Sequence, residues 1–272
     1  MSAVQKAHTL AESLNLLPPL PEVAQKILTE LNDEFVTGEE VAAVVGQDPG
    51  ISARLVALAN SAYFGLSNPV GSVDEVVNRV LGVDNVRSLA LALAADHVFD
   101  TAHCQSFDTG RFWINALLMA DATRRVIDGD TEATEDERTL AYQAGLCHNI
   151  GLLALAYLVP AQTHAVLTQR DSQPDTPQSL GRLLMAAIGM DHRQVTYAVA
   201  QAWQLPEATL AAYEPVPHSS SRLHCALDVA RMAIAVQDEG TEPSTIAADL
   251  TAAAPTPRQR QRVEAMVQGI QD

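Results

Sequence analysis

The sequence has little from which to build a disulfide framework, a thiolate metal site or a membrane span. Its three cysteines, Cys104, Cys147 and Cys225, are odd in number, far apart and form no CxxC unit. That pattern excludes a thiolate zinc site and points to a reducing, cytoplasmic setting. Long apolar runs are missing as well: the most apolar stretches, 86–95 and 151–159, fall short of the roughly 20 residues a spanning helix needs. The N-terminal stretch MSAVQKAHTLAESLNLLPPLPE lacks the uninterrupted apolar segment of a signal peptide. Positive charge is also scarce. Seventeen Lys and Arg stand against thirty-three Asp and Glu, a formal net charge of -16, which repels a nucleic-acid backbone or an anionic membrane. The short groups Arg124–Arg125 and Arg258–Arg260–Arg262 read as solvated helix surface or as partners of helix C-termini. No nucleic-acid or membrane partner is therefore expected.

What the sequence does contain is helix, punctuated by caps. A chain of 272 residues that is 47% hydrophobic can bury a substantial core. Runs of β-branched residues with a period of two are absent, so the expected class is all-α, an irregular multi-helix bundle. A first helix is expected over 4–16, closed by Pro18–Pro19, and Pro21 opens a second. Thr37 with Glu40 forms a capping-box pattern, and Asp48–Pro49 is an Asp cap followed by proline at the first helical position. Ser72 with Glu75 caps a helix ending at Gly82, and Asp84 begins a long one to Val98. Helices follow over about 108–127, 136–146, 149–158, 161–169, 177–189, 191–203, 206–214 and 219–237, then 245–253 and 256–270. The acidic stretch 128–137 reads as a surface loop. A boundary near residue 105 divides the chain into 1–105 and 106–272.

Common catalytic signatures fail one after another. Gly145, Gly151 and Gly181 fit neither GxGxxG nor GxxxxGK[ST], there is no GxSxG elbow, and Cys147–His148 are merely sequence neighbours. A metal-dependent phosphohydrolase would need imidazoles and carboxylates clustered on facing helices. The available residues are His148 with Asn149, His192 with Asp191, His218, His224 and Asp228, with no HExxH or HxxxH unit among them. The four-residue spacing of His224 and Asp228 also suits an ordinary helical pair.

Three segments carry a resemblance: LPPLPEVAQKILTELN, VVGQDPGISARLVALANSAYFG and VGSVDEVVNRVLGVDNVRSLALALA. Together they resemble the HDOD family, helical signalling domains related to the HD-domain and HD-GYP phosphohydrolases. The pattern DPxxxxRLxxLANSAxFG is long and specific; AYQAGLCHNIGLLAL and MDHRQVTYAVAQAWQLPEATLAAY extend the likeness more loosely, over most of 10–235. HD enzymes ligate metal with an early histidine, an adjacent His–Asp pair and a later aspartate. Carried onto this chain, those positions fall at Asn115, at His148 and Asn149, and at Asp228, with His192 at a further family histidine. Amides at 115 and 149 remove a nitrogen donor and a full negative charge. The histidines expected after W-x-LP are replaced by Tyr213-Glu214-Pro215-Val216-Pro217-His218.

The resemblance therefore implies a degenerate HD-like C-terminal half with no metal or other cofactor. It implies a non-catalytic signalling domain acting on signalling proteins in trans, with a homo-oligomer left open. A metal-dependent phosphohydrolase or phosphodiesterase is the rival, and a nucleotide or small-molecule sensor using the same pocket is the third reading. Arg54, Asn60, Ser61, Tyr63 and Phe64 gather around one helix end. They read either as a pinned helix terminus or as a groove for a partner or ligand.

Overall fold

The computed structural model describes Leu14 and residues 17–30, 36–62, 64–172, 180–205, 207–215 and 221–239. Every regular element among them is helical, and no strand occurs. The chain divides into two compact units, one of Leu17–His103 and one of Cys104–Asp272 with Met1–Leu16. The helices expected over 245–253 and 256–270, all but Leu14 of that over 4–16, and Tyr63, His218 and Arg258–Arg260–Arg262 lie outside the described residues.

In the first unit the caps set where each helix starts. Helix α1 is Glu22–Glu30, and α2, Gly38–Val45, opens with the Thr37–Glu40 capping box. Helix α3 is Pro49–Ala59, and the Asp48 carboxylate accepts the Gly50 and Ile51 amides at 2.9 and 3.0 Å. Such a cap contributes about 1 kcal/mol. Ile51, Leu55 and Ala59, one face of α3, are buried, and α3 packs on α5. Ser72 caps α4, Val73–Val76, but the α-helix does not continue to Gly82: Val77–Leu81 forms a π-helical turn. The Gly82 amide closes that turn on the Val77 carbonyl, and Gly82 itself adopts φ +77°, a conformation that favours glycine. Helix α5, Val83–Val98, is buried continuously from Ser88 to Asp96, as befits a helix packed against α1, α2 and α3.

The second unit begins with α6, Thr109–Asp128, capped by Asp108, and continues with α7, Glu135–Cys147. Next come α8, Ile150–Leu158, α9, Pro160–Ser172, and α10, Leu180–Ile188. The last are α11, His192–Ala202, α12, Glu207–Tyr213, and α13, Arg222–Glu239. Helix α6 packs on α7 and α13, and α8 packs on α11. Two glycines allow the closest approaches. A Cβ on Gly145 would lie 2.5 Å from the Met119 carbonyl oxygen, and one on Gly151 would lie 2.2 Å from that of His192. Neither space admits a methyl group.

The acidic stretch 128–137 is only partly a surface loop. Thr134 and Glu137 form a capping box that starts α7 at Glu135, and Asp130 is buried. Arg222 at the start of α13 pairs with Asp130, Glu132 and Glu137 at 3.3–3.5 Å. Acidity that suggested solvation serves instead to hold the first turn of α13 against the start of α7.

Candidate functional site

The histidines of the second unit come together where α7 gives way to α8 and where α11 begins. His148 caps the C-terminus of α7, and its Nδ1–H donates to the Gly145 carbonyl at 2.7 Å. Since a carbonyl only accepts, this bond fixes the tautomer and leaves the Nε2 lone pair. His192 is the first residue of α11, behind the Asp191–Gln194 capping box. Thr196 ties the two segments: its Oγ1 accepts the Gly151 amide at 3.0 Å and lies 3.3 Å from the His148 carbonyl and 2.9 Å from the His192 carbonyl. The glycine-permitted approach of α8 to α11 is thus what brings His148, Asn149 and His192 into one neighbourhood.

Helix α13 supplies the charge. Asp228 lies 2.8 Å from Arg231, 3.5 Å from Arg193 and 3.4 Å from Nε2 of His224. His224 is buried, with Nδ1 3.2 Å from the Ala212 carbonyl, so its two ring nitrogens face two acceptors. The Tyr213 hydroxyl donates to the Ala144 carbonyl at 3.0 Å, joining the end of α12 to α7.

Electrostatics follows from this placement. Burial first, then the positive charge of Arg231, lowers His148 to about 3, against the Gly145 hydrogen bond. Burial likewise lowers His192 to about 4; Asp191 opposes it, while Arg231, Arg193 and Arg170 add to it. Both imidazoles are neutral at pH 7. Burial alone would raise Asp228, but the His224 hydrogen bond and the charges of Arg231 and Arg193 bring it down to about 2. Cys147 is pushed up to about 12 by burial, so it is a thiol and no nucleophile.

These residues do not fit a divalent metal. The carboxylate Asp228 is engaged by the Arg231 guanidinium, a fixed cation whose charge reaches both His148 and His192. Position 149 offers an amide oxygen where a hard ion needs an anion. Among the described residues, no group of three or more His, Cys, Asp or Glu side chains is arranged to hold an ion. Two polar atoms, Asn149 Oδ1 and His192 Nδ1, are buried without a hydrogen-bond partner. Asn115 is exposed on α6.

The residues around the end of α3 are placed differently. Asn60 caps α3, and its amide closes a reciprocal pair with the Val70 backbone: Nδ2–H donates to the carbonyl and Oδ1 accepts the N–H, each at 2.8 Å. Its φ of -86° shows that it acts through this side-chain bridge without a left-handed turn. Arg54 pairs with the buried carboxylate of Asp96 on α5. Ser61 Oγ is buried without a partner, and Phe64 is half-buried, with its amide donating to the Ser61 carbonyl.

Sequence reasoning reached His148, Asn149, His192 and Asp228 but missed Arg193 and Arg231. The available signal was the three-residue spacing of Asp228 and Arg231, a standard helical ion-pair spacing. It also read Gly145 and Gly151 only as failed phosphate loops, although their six-residue spacing brackets His148–Asn149.

Comparisons with known proteins agree with this architecture. An uncharacterised protein of Treponema pallidum is 27% identical over 223 residues, 78% of this chain and 40% of the relative, so the chain spans under half of that protein's length. An HDOD domain protein of unknown function from Geobacter sulfurreducens superposes with TM-score 0.66 at 21% identity, covering 98% of this chain and 89% of its own. A Shewanella amazonensis protein provisionally named a phosphohydrolase gives TM-score 0.68 at 23% identity, covering 96% and 97%. The HDOD domain family model matches residues 17–216, well over half of the sequence. This chain belongs to the HDOD domain family.

Proposed function

We propose that the protein is a non-catalytic signal-transduction domain that works through contacts with other signalling proteins, and that the His148–Asn149–His192–Asp228 set is a vestigial metal site. The observation that carries this reading is the Arg231 guanidinium, 2.8 Å from Asp228. Hydrolysis of a phosphodiester on an HD-type centre needs a divalent ion to make a bound water nucleophilic. Here a built-in monocation already neutralises the one carboxylate of the set. A guanidinium stabilises that carboxylate but cannot generate hydroxide at neutral pH. The two buried histidines, both neutral at pH 7, carry no charge that would compensate. What survives is a hydrogen-bonded junction between α7, α8 and α11.

The test is turnover. Purified protein is assayed against a cyclic dinucleotide and a generic phosphodiester with Mn²⁺, Mg²⁺ or Fe²⁺ present. The expected result is no hydrolysis above that of a His148→Ala variant. Metal-dependent turnover that disappears in His148→Ala would overturn the proposal and restore the phosphohydrolase reading.

A further inference from the structure

Two guanidinium groups share one carboxylate where α11 meets α13. Arg231 donates from Nη1 to Asp228 at 2.8 Å, and Arg193 lies 3.5 Å from the same oxygen. Each guanidinium carries five N–H donors. Among the described residues, Asp228 is the side chain that answers both, and His224 Nε2 competes for it at 3.4 Å. The cluster is reachable: Arg193 keeps 40% of its side chain exposed, Asp228 38% and Arg231 23%.

The local charge runs against that of the chain, whose net charge is -16. Here two fixed cations face one carboxylate, beside two imidazoles that are neutral at pH 7. Burial first, and then the charge of Arg193, holds Arg231 below the usual arginine range, with Asp228 opposing. The two guanidiniums therefore crowd each other in a partly desolvated place. Arg170 and Asp191 also act on His192, but each has a partner of its own. Arg170 pairs with Asp171 at 3.0 Å, and Asp191 accepts the Arg193 and Gln194 amides at 2.9 and 2.8 Å. A second observation points to a missing acceptor. His192 Nδ1 is buried without a partner, and the charges of Arg231 and Arg193 both reach this ring. With its single N–H on Nδ1, the neutral imidazole is a donor for an oxyanion.

We propose that Arg193, Arg231 and His192 form a binding site for the phosphate group of a small soluble ligand. A tetrahedral phosphate offers oxygens to two guanidinium forks and an imidazole at once, which a carboxylate with two oxygens does not. Its negative charge balances the cation that Asp228 leaves over. The proposal rests on the reading that a guanidinium stands in the place of the metal ion, and it gives the emptied centre a ligand.

Calorimetric titration of inorganic phosphate into the full chain, freed of metal and held at constant ionic strength with chloride, tests it. The wild type is expected to bind one phosphate per chain saturably. Arg193→Gln should weaken binding by about 10-fold or more, the loss of one charge-assisted contact. Arg231→Lys keeps a charge beside Asp228 but loses the fork, and should weaken binding as well. Arg111→Gln, which removes the same charge from an exposed position on α6, should leave the affinity unchanged. A wild type that binds no phosphate saturably, with or without Mn²⁺, would overturn this proposal alone. So would an affinity indifferent to both Arg193→Gln and Arg231→Lys. Phosphate that binds only once Mn²⁺ is added would be held by a metal ion, and the reading of a guanidinium in the metal's place would fall with the proposal.

Discussion

Two asparagines show how differently the two units use the same chemistry. Asn60, in the unit of Leu17–His103, spends both amide atoms on the Val70 backbone at 2.8 Å. Asn149, in the other unit, leaves its Oδ1 buried and unpartnered, as His192 leaves its Nδ1. Along the helix that Asn60 closes, other polar side chains are committed too: Asp48 caps the start of α3, and Arg54 pairs with Asp96. Ser61 Oγ is the exception there. Around Asn149 the side chains are more deeply buried and the satisfaction is poorer, and neutral histidines share the space with guanidinium groups. The contrast separates recognisability from function. The segment that makes the family easiest to recognise consists largely of residues that hold their own unit together. The orphaned atoms of Asn149 and His192, of a kind natural proteins seldom tolerate without a reason, lie in the looser segments of the motif, whereas that of Ser61 lies in its most specific one.

Substitutions can break this comparison, and the largest effect is expected at the crossing of α8 and α11. Gly151→Ala places a Cβ 2.2 Å from the His192 carbonyl oxygen and 2.4 Å from the Thr196 amide nitrogen. Both are backbone atoms, so relief requires helix movement, and a loss of about 3 kcal/mol or more is expected by denaturant unfolding. Acid comes next. Between the ordinary histidine range near pH 6.5 and pH 4, the unfolded chain binds protons at positions 148 and 192 that the folded chain resists. Their contribution is complete above that range and is lost as pH falls, by about 2 kcal/mol or more down to pH 4. Unfolding measured across this window should show the decline, and His148→Gln should flatten it; an unchanged slope would contradict the buried neutral assignment.

Smaller effects sharpen the contrast of the asparagines directly. Asn60→Ala strips both partners from the Val70 backbone and should cost about 2 kcal/mol. Asn149→Ala removes an orphaned oxygen and should change stability by less than about 1 kcal/mol. Thermal melts of the two variants side by side check the ranking, and a reversal would show that Asn149 carries the larger structural load.

Much of the fold was legible because it is written in local chemistry. Thr37–Glu40, Asp48–Pro49, Ser72 and Asp191 each announce a helix start that the structure reproduces. The π-helical turn at Val77–Leu81 was not legible, since Val, Asn, Arg and Leu suit an α-helix equally well. Nor was the burial of Asp130, because its partner Arg222 is distant in sequence. The candidate site divides in the same way. His148, Asn149, His192 and Asp228 could be addressed through the family pattern. Whether Asp228 meets a metal ion or a guanidinium depends on how α13 and α11 present Arg231 and Arg193, which no single motif encodes. Asn115, placed by the same pattern, is exposed on α6.

The central claim, that Arg231 rather than a metal ion answers the charge of Asp228, is tested most directly by calorimetric titration of Mn²⁺ into wild-type protein and into His148→Ala and Asp228→Ala. The account predicts no saturable binding in the wild type beyond the weak background seen in both variants. Saturable binding of one ion per chain that is lost in either variant would contradict it.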